Sequence, residues 1–231
     1  MATATGPTRT VDRALELLAE VCTQESVTLS EAARSTGLPM STALRLLRTL
    51  ESSGFVTRDA AGGFGAGPRL IQLGAYSLGR HSLLRLAQPA MRRIGGRTGE
   101  SVYLAIEAPG NSAIYIGMVE GTHAVRHVSW IGRTVPLAGL AVGRALSGEH
   151  GDEPGYVAER DRLEPDVTAI AAPIRWAGGI AGALNLLGPT YRIDDDTMHG
   201  YGRIVADEAR AIGALLVGPT QPLRLKEMRV Q

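Results

Sequence analysis

Apolar residues in the first third of the chain recur at helical spacing. Val11, Ala14, Leu15, Leu18, Val21 and Cys22 recur at spacings of three and four, which predicts a helix with Thr10 as its N-cap. After a polar break at 23–26, the run 27–38 predicts a second, short helix capped by Ser30 and stopped by Gly37. Pro39 opens a third helix, in which Ala43, Leu46, Leu47 and Leu50 form an i, i+3, i+4, i+7 stripe. The opposite side carries Ser41, Thr42, Arg45, Arg48 and Thr49, and no acid. Residues 55–58 predict a strand, and the Asp-Ala-Ala-Gly-Gly run at 59–63 has the chemistry to turn the chain back into Phe64. Three helices and a hairpin are the order of a winged helix-turn-helix.

The helical period returns over 68–96, with expected interruptions near 79–82 and at Pro89, so a linker helix leads into the first helix of a second domain. The pattern then changes to short β-rich runs at 101–107, 113–119, 124–129, 167–176 and 180–187, the last two joined by a turn at 177–179. A helix fits 140–146. A longer one begins at Asp194 or Thr197 and runs to Leu216, with three acids at its start suiting the helix dipole. The stretch 147–155 reads as a loop. The fold class expected is α+β.

Composition narrows the class. The formal charge of +1 gives no global pull toward nucleic acid, so DNA affinity has to come from a local basic face. Such a face exists between Pro39 and Leu50, where two arginines occur without an acid. Cys22, the single cysteine, is expected to be a small core residue, and it excludes an intramolecular disulfide or a cysteine-cluster metal site. No apolar run reaches a membrane span and the first residues lack a secretory h-region, so no membrane role and a cytoplasmic location are expected.

Enzyme chemistry finds little support. His123 and His127 fall on a strand-like run where a spacing of four does not converge on one metal. Asp194, Asp195 and Asp196 fit a helix start better than a cation cluster. The glycines of 62–67 lack the strand-to-helix setting of a nucleotide loop, and there is no nucleophile elbow. No cofactor, no metal and no catalytic residue are expected.

A helix placed as the third one is here enters the major groove. Arg45 and Arg48 can then contact guanine or phosphate, and Ser41, Thr42 and Thr49 can touch bases or backbone oxygens. Arg58 on the hairpin and Arg69 beyond it are candidate phosphate contacts. An amphipathic helix with two arginines is by itself most often a surface helix. The ordering of five elements within about fifty residues gives these positions their meaning.

The runs Thr10-Val11-Asp12-Arg13-Ala14-Leu15-Glu16-Leu17-Leu18, Leu38-Pro39-Met40-Ser41-Thr42-Ala43-Leu44-Arg45-Leu46-Leu47-Arg48-Thr49-Leu50, Gly54-Phe55-Val56 and Gly67-Pro68-Arg69-Leu70 resemble the IclR family of bacterial regulators. Thr98-Gly99-Glu100-Ser101, 136–146 and Ile170-Ala171-Ala172-Pro173-Ile174 extend the resemblance over nearly the whole chain. It implies a winged helix-turn-helix DNA-binding domain over 1–67, a linker helix over 68–81, a GAF-like effector-binding and oligomerisation domain with an antiparallel sheet over 82–218, and a mobile tail over 219–231. It further implies a homodimer or homotetramer on a double-stranded DNA operator, with repression preferred to activation and control by a small molecule, an organic acid in many relatives.

Carried over by local motif, the effector positions are Ala124, Ala141, Val142, Glu159, Val167, Ala169, Asn185 and Leu187. Two departures stand out. Ala169 occupies a place where the family often has cysteine, and Asn185 and Leu187 stand where small hydroxyl residues are common, so donors for a carboxylate are fewer. Family members also place helices where this chain has 147–155. A ligand-free or protein-contact regulator, with the second domain serving only oligomerisation, is the alternative.

Overall fold

The computed structural model describes residues 8–148 and 154–216, which divide between Arg80 and His81 into two compact units. The first contains α1 (Arg9–Cys22), α2 (Leu29–Ser35), α3 (Met40–Ser52), β1 (Val56–Arg58), β2 (Phe64–Ala66) and α4 (Pro68–Arg80). Its core gathers Leu17 and Val21 from α1, Ala32 and Ala33 from α2, and Ala43, Leu46 and Leu47 from α3, closed by Val56 and Phe64 of the hairpin. The strands pair antiparallel with Val56 opposite Ala66 and Arg58 opposite Phe64.

Several local expectations change. Thr8, not Thr10, is the N-cap of α1. The core side of α1 is turned from the expected stripe: Leu17 is fully buried, while Val11, Leu15 and Cys22 are exposed. The helix carries more apolar residues than one face can hold, and packing against α3 selects among them. Thr28, not Ser30, caps α2. Its hydroxyl accepts from the Glu31 backbone N–H at 3.3 Å, while the Glu31 carboxylate accepts from the Thr28 N–H at 2.9 Å, a reciprocal capping box. Gly37 follows in the left-handed region at φ +64°, as the turn into Pro39 requires.

The second unit begins with α5 (Ser82–Thr98) and continues through β3 (Ser101–Ala108), β4 (Ser112–Val119), β5 (Thr134–Pro136), α6 (Ala141–Ser147), β6 (Val157–Arg160), β7 (Val167–Trp176), β8 (Gly179–Pro189) and α7 (Asp195–Leu215). Its six strands form one antiparallel sheet in the order β5-β4-β3-β8-β7-β6. Alternation along the strands gives the sheet two apolar faces. One, with Val102, Leu104, Ile170, Ile174, Leu184 and Leu186, is buried, and α5 and α7 pack on the sheet. The other, with Tyr103, Ala105, Ala169, Ala171, Ala183 and Leu187, shares a cluster with Ala141, Val142 and Ala145 of α6. Asp194 caps α7 by accepting from the Thr197 N–H at 2.8 Å, so the three acids open a helix.

The expected break at Pro89 does not occur, and α5 runs through it. The ring removes one backbone donor on an exposed side, while Leu83, Ala87, Ala90, Met91 and Ile94 hold the helix from the other side. Nor does 124–129 form a strand. Its carbonyl groups are taken by side chains instead: Val125 by Arg192 at 2.7 Å, His127 by Ser101 at 3.2 Å and Val128 by Tyr103 at 2.5 Å. The strands β5 and β6, three and four residues long at the sheet edges, are too short to give an alternation signal. Most of the expected loop at 147–155 and all of the expected tail at 219–231 lie outside the described residues.

Candidate functional site

On α3, Ser41, Arg45, Arg48 and Ser52 succeed one another by three and four residues and are all exposed, so one stripe runs the length of the helix. Thr42, half-buried, and Thr49, exposed, border it on one side. Ser52 extends the stripe beyond the residues expected from the sequence; its i+4 relation to Arg48 is the signal that would have found it. The Thr49 hydroxyl donates to the Arg45 carbonyl at 3.0 Å, and the Ser52 hydroxyl to the Thr49 carbonyl at 2.9 Å. Among the described residues neither the Arg45 nor the Arg48 guanidinium has a hydrogen-bonding or ionic partner.

The hairpin arginine is placed differently. Arg58 donates from Nε to the Gly62 carbonyl at 3.2 Å and lies 5.4 Å from the Phe64 ring centroid, so it is held against its own hairpin. The hairpin turn is braced by Asp59, which accepts from the Ser26 hydroxyl at 2.6 Å and from the Gly63 N–H at 2.8 Å. Arg69 on α4 is exposed and donates to Gln72 at 3.2 Å. No residue of α4 is buried; Ile71 and Tyr76 are among its exposed apolar side chains.

In the second unit, cross-strand register brings most of the expected effector positions to one face of the sheet. Glu159, Ala169 and Leu187 are successive neighbours across β6, β7 and β8. Val157, Ala171, Asn185 and Tyr103 form the next row. Ala141 and Val142 face this surface from α6, and Val167 packs at its border. Ala124 is not brought to the other seven; it is exposed on the loop between β4 and β5.

The same face contains an aromatic group that motif reading missed. Tyr103 and Tyr115 lie 5.0 Å apart between ring centroids, Trp130 is 6.3 Å from Tyr115, and His127 meets Tyr103 and Trp130 edge-on at 5.5 and 4.7 Å. The Tyr103 hydroxyl is 2.8 Å from His127 Nδ1, and Asn185 donates from Nδ2 to the Tyr115 hydroxyl at 2.8 Å. Burial raises the pKa of both tyrosines. Burial also lowers that of His127, against the opposing pull of Glu164. Glu159 is raised, again chiefly by burial, although the Ala141 N–H donates to it. Among the described residues no group of three or more His, Cys, Asp or Glu could hold a metal ion, and no helix is long and apolar enough to cross a membrane.

A three-helix unit with a hairpin wing, joined in sequence to an α-covered antiparallel sheet, defines a DNA-binding regulator class. Comparison with known proteins gives the family. The IclR helix-turn-helix domain matches residues 10–60, and the C-terminal domain of bacterial transcriptional regulator IclR matches residues 75–153. The chain belongs to the IclR family of transcriptional regulators, which are not enzymes.

Among its relatives, the HTH-type transcriptional repressor AllR of Escherichia coli K12 is 28% identical, with 83% of each chain matched. The HTH-type transcriptional regulator KipR of Bacillus subtilis is 35% identical over 60% of this chain, and that match spans 55% of KipR. An IclR regulator from Alicyclobacillus acidocaldarius shares the fold with a TM-score of 0.79 at 23% identity, over 90% of this chain and 98% of the other. An IclR homologue from Microbacterium hydrocarbonoxydans, solved with 4-hydroxybenzoate, has a TM-score of 0.72 at 23% identity, over 89% and 98%.

Proposed function

We propose that this regulator is a repressor that reads an operator with α3 and responds to a small molecule bound on the α6 side of its sheet. The observation that carries the reading is the acid-free stripe of Ser41, Arg45, Arg48 and Ser52, with both guanidinium groups unengaged among the described residues. Arg45 and Arg48 contact base edges, Ser41, Thr42 and Thr49 contact bases or sugar-phosphate, and Arg58 and Arg69 contact phosphates.

Pairing of subunits presents two such helices to successive major grooves, about 34 to 36 Å apart. Exposed Val11 and Leu15 on α1, with Ile71 and Tyr76 on α4, support a homodimer closed through the N-terminal unit. Repression follows the naming of AllR. The 4-hydroxybenzoate in the Microbacterium homologue supports an effector for this chain, received here by Ala141, Val142, Glu159, Val167, Ala169, Asn185 and Leu187. The effector acts by binding one arrangement of the dimer more tightly than another.

A gel shift of the full chain on the DNA upstream of its own gene tests the reading. A discrete complex that outlasts excess random DNA supports it; no complex at low salt, where phosphate contacts are strongest, overturns it.

A further inference from the structure

The apolar side chains of α3 divide three ways. Ala43, Leu46 and Leu47 are buried in the core of the first unit, Leu44 and Leu50 pack against that core from its edge, and among the described residues Met40 does neither. Met40 is 52% exposed, although Leu38, two residues earlier, is buried. Its side chain is not part of the packing that holds the fold, so its place on α3 decides what it can do.

Met40 is the first residue of α3. Pro39 precedes it as N-cap at φ −58°, no side chain caps the helix, and no acid stands in the first turn. The Pro39 carbonyl accepts from the Thr42 and Ala43 N–H groups at 2.9 and 3.0 Å, so the helix is closed from its outset. Side chains on a helix lean toward its N-terminus. Those of Met40 and Ser41 therefore project at and past the end of α3, the end whose residues meet base edges when such a helix lies in a major groove.

The chemistry of Met40 narrows what it can meet there. It has no hydrogen-bond donor and its sulfur is a weak acceptor, so phosphate oxygens and polar base edges offer it little. Among the groups that base pairs present in the major groove, the apolar one is the C5-methyl of thymine. An unbranched side chain with three rotatable bonds can lay its sulfur and terminal methyl on that group without demanding one fixed approach. Guanidinium groups such as those of Arg45 and Arg48 favour guanine, and they leave thymine unread.

Building on the reading of α3 above, we propose that Met40 is a specificity-determining residue: its thioether packs on the methyl group of a thymine in the major groove and selects that base at one position of each half-site.

The full chain is used to select duplexes from a random-sequence pool, and each thymine of the selected half-site is replaced in turn by deoxyuridine, which removes only the methyl group. At one thymine or more, the wild-type chain is expected to lose about fourfold in affinity, the worth of one buried methyl. At that position Met40→Ala is expected to bind the two duplexes within about 1.5-fold of each other, while Met40→Leu keeps a loss of about twofold or more. Arg45→Ala, which binds more weakly through a different side chain, should keep the methyl effect. Thermal melting checks that each variant is folded. A wild-type chain indifferent to every deoxyuridine, or a methyl effect that survives in Met40→Ala, overturns the role of Met40 and leaves the α3 reading standing. Loss of the effect in Arg45→Ala as well would tie it to overall affinity and overturn the assignment to Met40. If the pool yields no enriched sequence, the α3 reading falls and the thymine assignment falls with it.

Discussion

Arg192 grips Glu100 through two parallel hydrogen bonds, Nε to Oε1 at 2.6 Å and Nη2 to Oε2 at 2.9 Å. The carboxylate side chain is 1% exposed and the guanidinium 20%, so the pair sits mostly out of water. Arg192 also holds the Val125 carbonyl, which ties the start of β3 to the loop between β4 and β5. Arg192→Ala removes both close hydrogen bonds from the buried Glu100 carboxylate, leaving it the more distant His123 Nε2 at 3.8 Å, and is expected to destabilise the second unit by about 3 to 5 kcal/mol in urea unfolding. Replacing both partners by apolar residues, Glu100→Leu with Arg192→Met, should recover most of that loss. A single Arg192→Ala loss below about 1 kcal/mol would mean that the pair is hydrated in solution.

The Thr28 capping box makes a separate, pH-dependent contribution to the first unit. Thr28→Ala should cost about 1 kcal/mol and lower both the melting temperature and the operator affinity. The bonds from Thr28 hold the Glu31 carboxyl below its ordinary value of 4.5, and the Ser26 hydroxyl holds Asp59 below its ordinary 3.8. A carboxyl lowered on folding stabilises the fold above its unfolded value, and that contribution is lost as the pH falls through the folded one. Stability should therefore fall between about pH 5 and about pH 3, with a shallower slope in Thr28→Ala. Parallel slopes in a melting series would refute the assignment.

Two glycines of the first unit should respond in opposite ways to alanine. A Cβ at Gly67 would collide with the backbone of Gly54, Phe55 and Val56, none of which can move without opening the hairpin. One at Gly74, on exposed α4, would meet nothing within 4 Å. Gly67→Ala should abolish operator binding through loss of the wing. Gly74→Ala should stabilise by about 0.5 to 1 kcal/mol and leave binding intact. Equal behaviour of the two in unfolding and gel-shift measurements would contradict this packing.

Arg45 and Arg58 should separate specificity from affinity. Arg45→Ala is expected to cost about 1 to 3 kcal/mol on operator DNA and to relax base preference. Arg58→Ala should weaken operator and random DNA alike, because a guanidinium folded over Phe64 on the hairpin is expected to meet sugar-phosphate rather than base edges. Equal losses on both DNAs for both variants, read by competition binding, would refute the division.

The first unit was largely legible because its signals are local. The stripe of Ala43, Leu46 and Leu47 lies within one helix, Pro39 and Gly37 mark its entry, and the glycines of 59–63 reverse the next strand. The candidate DNA surface is the complement of that stripe, so it follows from the same spacing. The candidate effector face was legible only through family motifs, and those motifs passed over Tyr103, Tyr115, His127 and Trp130. These four come from two strands and a loop with no shared periodicity; only the pairing of β3 with β4 and the fold of the following loop bring the rings together.

By itself the sequence determined most of the helices, the longer strands and the polar side of α3, since helical and strand periods are properties of a few adjacent turns. Tertiary structure decided which surplus apolar side chains are covered, burying Leu17 and exposing Leu15 and Cys22. It also joined Glu100 to Arg192 across 92 positions and set Glu159 and Asn185 on one surface. Such pairings depend on strand register and helix docking, which are fixed by contacts between distant segments and leave no period in the chain.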